Sequence, residues 1–130
     1  MITNKYVYPE LKRLDKEVGR YYLDSNKISV PSVTTVLTNT SNKSDSIQQW
    51  RNRVGEIEAN RITKQSTDIG SMVHEALENF LKKKDWDNFT NDQEGVIASK
   101  ITKKFITSGL RSLTEVWGLE VGLILDGLYA

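Results

Sequence analysis

The chain has 130 residues, 38% hydrophobic and 27% charged, with no cysteine and a formal net charge of +1. That length suits one domain, and the composition lies outside the low-hydrophobicity, high-charge regime of disorder; disulfides and thiolate metal sites are excluded, so a metal would need His, Asp or Glu ligands. No apolar stretch approaches the ~20 residues of a membrane span, and Met1 to Glu10 lacks signal-peptide order, so the cytoplasm is the expected location and a membrane is not an expected partner.

Charge is unevenly spread along the chain. Residues 1–66 hold 11 Lys and Arg against 7 Asp and Glu, whereas residues 67–130 hold 7 against 10. A basic half facing phosphates and an acidic half holding a cation would suit a nuclease, although the asymmetry is small.

In chain order, Arg20-Tyr21-Tyr22-Leu23 and Ile28-Ser29-Val30 are aromatic or β-branched runs separated by the turn formers Asp24 to Lys27, which predicts a hairpin. Pro31 ends the second strand, and the Ser32 hydroxyl can cap a short helical turn over Val33 to Leu37. A polar loop from Asn39 to Ser44 follows, then a helix from about Asp45 to Val54 broken by Gly55, and a second from Glu56 to about Gln65. Ser66 or Thr67 opens the clearest helix, which runs to about Lys83 with Ile69, Val73, Leu77, Phe80 and Leu81 on one face. Lys82-Lys83-Lys84 suits the negative end of that helix's dipole without any ligand. Thr90 or Asn91 is read as the cap of a further helix reaching about Thr107, with Val96, Ile97, Ile101, Phe105 and Ile106 as its apolar side and Gly109 as its stop. Leu113 to Trp117 and Glu120 to Leu125 read as strands, and Asp126-Gly127 is a strong hairpin signal before Leu128-Tyr129-Ala130. The expected organisation is one domain: an extension over 1–19, a hairpin and helices over 20–112, and strands of a sheet from 113 to 130.

Several residue groups could carry chemistry. His74, the one histidine, shares a helical stripe with Gly70 and Glu78 at four-residue spacing. A neutral imidazole beside a carboxylate can bind a divalent metal or move a proton, but a lone histidine on such a helix is more often a packed or ordinary surface residue. Ser32, Thr34 and Thr35 gather three hydroxyls at a helix N-terminus, which can hold a phosphate or simply cap a turn. Trp50, Arg51 and Arg53 combine a stacking surface with two guanidinium groups, as single-strand binders do; equally, the tryptophan can be core and the arginines solvated. Glu115 and Glu120 lie in strand-like stretches, where an inward carboxylate could help hold Mg²⁺, though strands usually send such residues to solvent.

The ordered set is more specific than any member. Arg20-Tyr21-Tyr22, Pro31-Ser32-Val33-Thr34-Thr35, Trp50-Arg51-x-Arg53-x-Gly55, Gly70-x-x-x-His74-x-x-x-Glu78, Trp117-Gly118-x-Glu120-Val121 and Leu128-Tyr129-Ala130 span the chain from Arg20 to its end. In that order they resemble the RecB-like branch of the PD-(D/E)XK nucleases, specifically phage-encoded exonucleases related to the mitochondrial genome maintenance exonuclease. The resemblance implies an α/β protein, α+β within these residues, in which helices precede the first strands of a restriction-endonuclease-like core. It also implies hydrolysis of DNA phosphodiesters with Mg²⁺ or Mn²⁺, on DNA with single-stranded ends, in recombination and repair within the host cytoplasm. His74 matches the motif histidine near the metal, with Gly70 and Glu78 supporting it, and Glu120 matches a glutamate on the first core strand. Ser32, Thr34 and Thr35 match the segment expected at DNA phosphates, and Trp50, Arg51 and Arg53 the helical region expected near single strands. The family's Gly-Thr-x-Asp and Asp-x-Lys, which supply the main metal carboxylates and a lysine, do not occur here. The implied expectation is therefore an N-terminal part of such an enzyme, inactive alone, with the remaining ligands past Ala130. The competing expectations are a non-catalytic single-stranded-DNA-binding module and a structural helical protein.

Overall fold

The structure, a computed structural model, describes residues 1–41 and 43–130, with backbone alone at Lys43 and Ser44. Asn42, within the expected polar loop, lies outside the described residues. The architecture is mixed α+β, with four α-helices and three small sheets among the described residues. The chain divides into two units, one made of residues 1–7 with 54–120 and the other of residues 8–53 with 121–130. No helix is long and apolar enough to cross a membrane among the described residues.

In the unit containing residues 8–53, the expected hairpin is present as β3 (Gly19–Leu23) and β4 (Ser29–Pro31), after β1 (Thr3–Asn4) of the other unit and β2 (Arg13–Lys16). Its turn is built by Asp24, whose carboxylate accepts the backbone N–H groups of Asn26 at 2.8 Å and Ile28 at 2.9 Å. The unexpected strand β2 pairs antiparallel with β3, Leu14 opposite Tyr21. Three of its four residues are charged, which erases the apolar alternation that marks a strand, yet suits a sheet edge in water. Between β2 and β3, Gly19 has φ of 137°, and a Cβ there would sit 2.6 Å from the Thr35 side chain. Only glycine lets the turn close against the following helix.

That helix, α1 (Val33–Thr40), is longer than the expected turn and starts at the expected cap, with Ser32 Oγ accepting the Thr35 N–H at 3.1 Å. After α2 (Lys43–Val54), Gly55 makes the expected break at φ of 89°. Near the chain end, β6 (Ile124–Leu125) and β7 (Leu128–Tyr129) form the expected hairpin. Asp126 and Gly127 both take positive φ, 51° and 75°, as the tight two-residue turn requires.

The other unit is dominated by α3 (Glu56–Leu81), one continuous helix of 26 residues. This corrects the expected division at Ser66–Thr67. Cap-type residues end a helix only if the backbone leaves helical geometry, and here neither glycine nor proline intervenes, while Lys64 reaches across the junction to Asp68 at 2.5 Å. The helix α4 (Gln93–Lys104) packs against α3 in the unit's most extensive contact. Its cap is Asp92 rather than Thr90 or Asn91: Asp92 Oδ1 accepts the Gly95 N–H at 2.9 Å and the Thr90 hydroxyl at 2.5 Å. Those two bonds, the Thr90 one foremost, hold the Asp92 carboxyl below its ordinary pKa.

The expected apolar side of α4 is also corrected. Gly95, Ala98 and Thr102 are its buried residues, while Val96, Ile101 and Phe105 are exposed. Ala98 and Thr102 take buried positions because small residues allow two helix backbones to come close, as Ala59 and Ala76 do in α3, whereas Gly95 is dictated by the loop before α4, a Cβ there lying 1.9 Å from the Thr90 carbonyl oxygen. Past Lys104 the helix widens into a π-type turn over Phe105–Gly109, closed by Leu110 N–H on the Phe105 carbonyl at 2.9 Å. There the Thr107 and Ser108 hydroxyls bond the carbonyls of Lys103 and Lys104, competing with the regular ladder.

Of the two runs expected as strands, only parts are strands. In the first, β5 (Glu115–Val116) pairs parallel with β1, Thr3 opposite Glu115 and Asn4 opposite Val116. In the second, Glu120 is not on a strand: it lies in the loop before β6 with φ of 51°, a left-handed conformation that interrupts extended backbone.

Candidate functional site

On α3, His74 projects into solvent, with its side chain 80% exposed. That removes the packed-histidine alternative. The loop after β5 brings Glu120 to it, His74 Nδ1 lying 3.7 Å from Glu120 Oε1. The separation exceeds a normal hydrogen bond and lies within ion-pair range, so the carboxylate can orient the imidazole without burying it. The left-handed backbone of Glu120 is the kind of local strain that clusters at functional positions. One turn before His74, Gly70 faces open space, and a Cβ there would meet nothing within 4 Å. One turn after, Glu78 is engaged by Lys82, so it serves the helix end rather than the imidazole.

Two ligands do not make a site for a hard divalent cation, which takes about six oxygen-rich donors. Among the described residues no group of three or more His, Asp or Glu side chains is close enough to hold a metal. His74 and Glu120 therefore do not by themselves fit Mg²⁺ or Mn²⁺.

The hydroxyl group at the β4–α1 joint is tightly connected. Ser32 Oγ lies 3.0 Å from Thr34 Oγ1 and 2.8 Å from Thr35 Oγ1. Thr35 Oγ1 in turn accepts the Arg20 N–H at 2.9 Å and donates to the Arg20 carbonyl at 3.0 Å. Ser32 and Thr35 are buried, only Thr34 being exposed. The bonding capacity of Ser32 and Thr35 is spent on fastening α1 to β3, which leaves Thr34 as the hydroxyl that solvent or a ligand can reach. In the same unit two of the quoted motifs meet: Tyr22 stacks on Tyr129 with ring centroids 3.4 Å apart and planes within 12°.

On α2, Trp50 and Arg51 are half-buried and Arg53 is exposed, both arginines lying in the last helical turn. Cations are favoured there by the helix dipole whether or not DNA is present. The candidates thus divide between the units: Ser32, Thr34, Thr35, Trp50, Arg51 and Arg53 in one, Gly70, His74, Glu78 and Glu120 in the other.

One constellation in the His74 unit adds Lys5 and Tyr6, which motif spacing passed over, to Glu115 and Trp117. Lys5 and Tyr6 follow β1 and meet Glu115 and Trp117 around β5, with Lys5 Nζ 3.3 Å from Glu115 Oε1 and 4.5 Å from the Trp117 ring centroid. Its sequence signal was two aromatics with a lysine, but they are brought together by a long-range strand pairing.

Comparison with protein-family models, with curated proteins and with solved structures returned no match.

Proposed function

We propose that this chain is part of a metal-dependent DNA exonuclease of the RecB-like PD-(D/E)XK type, phage-encoded and acting on DNA with single-stranded ends in the host cytoplasm. The observation that supports this most is the approach of His74 to Glu120, 3.7 Å apart though remote in sequence. Those are the two residues that the motif resemblance, taken separately from any geometry, marks for the catalytic centre. In the proposed mechanism Glu120 sets the imidazole's orientation, and the exposed His74 ring exchanges a proton with water or with a phosphate oxygen. The Mg²⁺ or Mn²⁺ of such an enzyme would neutralise phosphate charge and polarise the attacked group, and would need more carboxylates than His74 and Glu120 bring together among the described residues. Arg51 and Arg53 would contact phosphates and Trp50 an unpaired base, with Thr34 at the phosphate-facing end of α1.

A second reading is favoured by the donor count: with no group of three metal-holding residues among those described, the chain can serve as a non-catalytic single-stranded-DNA-binding module. A nuclease assay on residues 1–130 and on the full product of the encoding gene separates the two. The proposal expects no cleavage and no tight Mg²⁺ binding by residues 1–130, and EDTA-sensitive degradation by the full product. Binding without degradation by the full product establishes the module, and EDTA-sensitive cleavage by residues 1–130 alone shows that the active site has been misplaced.

A further inference from the structure

We propose that Trp117, braced edge to face by Tyr6, is a platform on which an unpaired base of single-stranded DNA stacks, on the loop that carries Glu120 to His74, an inference that rests on the DNA reading above. The two rings stand edge to face with centroids 6.0 Å apart, and they are 61% and 49% exposed, unusual exposure for large aromatic side chains. Exposed aromatics invite a partner whose own flat apolar face replaces the water.

The platform is preorganised. Trp117 Nε1–H donates to Glu115 Oε1, which fixes the indole in its plane, and the Lys5 backbone N–H donates to the Val116 carbonyl at 2.9 Å, which fixes β1 beside it. Lys5 Nζ lies 4.5 Å from the Trp117 centroid and 5.4 Å from that of Tyr6, while its 3.3 Å contact with Glu115 offsets the carboxylate that would otherwise repel a phosphate. Further positive charge is close by, since the Asn4 side chain reaches the Leu81 carbonyl at 3.4 Å, where the run Lys82-Lys83-Lys84 begins. Aromatic faces next to lysines that can meet phosphates are what single-strand binders use. A proline-rich peptide also uses exposed aromatics, but the neighbouring lysine run gives it no matching charge.

Position completes the case. From Trp117 to Glu120 the chain advances three residues, at most about 11 Å between Cα atoms. A base held on Trp117 therefore sits on the same short loop that carries Glu120 to His74, and that pinning converts a loosely tethered strand into a positioned one.

The test is a fluorescence titration of the full chain with an oligothymidylate of about a dozen nucleotides, within the site sizes of single-strand binders. Binding by the unaltered chain should quench tryptophan emission. Trp117→Ala should weaken binding by roughly 5- to 150-fold, the fold-change that loss of one stacked base implies. Trp117→Phe, which keeps a stacking face and the fold, should retain most of the affinity while the Trp117 share of the quench is lost and only that of Trp50 remains. Undiminished affinity in Trp117→Ala, or a full quench in Trp117→Phe, overturns the platform and leaves the DNA reading standing. Absence of any binding by the unaltered chain overturns both. A proline-rich peptide that binds and displaces the oligonucleotide also overturns the platform, reassigning the surface to a peptide.

Discussion

The joint at Ser32, Thr34 and Thr35 and the pair His74–Glu120 are opposites. In the joint, buried hydroxyls bond one another and the Arg20 backbone, so the groups that look like a phosphate cradle are consumed in holding a helix to a sheet. The pair is exposed, joined by one long contact of 3.7 Å, and adds little to folding. The lesson is physical: a polar group that is fully partnered within the fold is committed to stability, whereas one that is positioned yet open to solvent remains available for chemistry.

The largest effect should come from breaking the joint. Thr35→Val keeps the shape but removes both bonds to Arg20, and should cost about 2–3 kcal/mol in urea unfolding. Ser32→Ala loses the helix cap and a buried partner of Thr35, and about 2 kcal/mol is expected. If both substitutions leave the unfolding midpoint unchanged, the joint is not structural, and its hydroxyls return to the phosphate reading.

A second cap sharpens the comparison because it titrates. Hydrogen bonds from Thr90 and Gly95 lower the Asp92 pKa in the folded state. The stability this contributes is fully present above the ordinary carboxylate pKa of about 3.9, and it is lost as pH falls through the lower folded value. Asp92→Asn should therefore flatten the acid limb of the stability–pH curve below about pH 4, whereas Ser32→Ala should shift the whole curve without changing its shape. An unaltered acid limb in Asp92→Asn would rule out the cap's contribution.

Local chemistry explains what was legible in the sequence. The β3–β4 and Asp126–Gly127 hairpins, the Ser32 cap and the Gly55 break each depend on a few adjacent residues, and each is where the residue types require it. What was not legible depended on distant partners. β2 is a charged edge strand recognisable only beside β3, and β1 gains meaning only by pairing with β5. In α4, the burial of Ala98 and Thr102 over larger apolar residues follows from its contact with α3, and that of Gly95 from the Thr90 backbone folded over it. Glu120's left-handed loop was equally hidden, because the stretch Glu120 to Leu125 has strand-like composition. His74 was visible as a candidate, but spacing alone could not distinguish an exposed residue from a packed one.

Smaller still are the effects expected at α2. Arg51→Ala and Arg53→Ala should each lower the log–log salt dependence of single-strand binding by roughly 0.7, the value for one phosphate contact. An unchanged slope would identify both as cations serving the C-terminal end of α2.

The effect of His74→Ala on stability should be the smallest of all, and that makes it the most direct probe. In the full product of the encoding gene, the initial rate of DNA degradation at saturating Mg²⁺ should fall by about 100-fold or more, the scale of a lost proton-transfer group, with the melting temperature unchanged. A lower melting temperature with a near-normal rate per folded molecule would contradict the account, since His74 would then be holding the fold together rather than taking part in the chemistry.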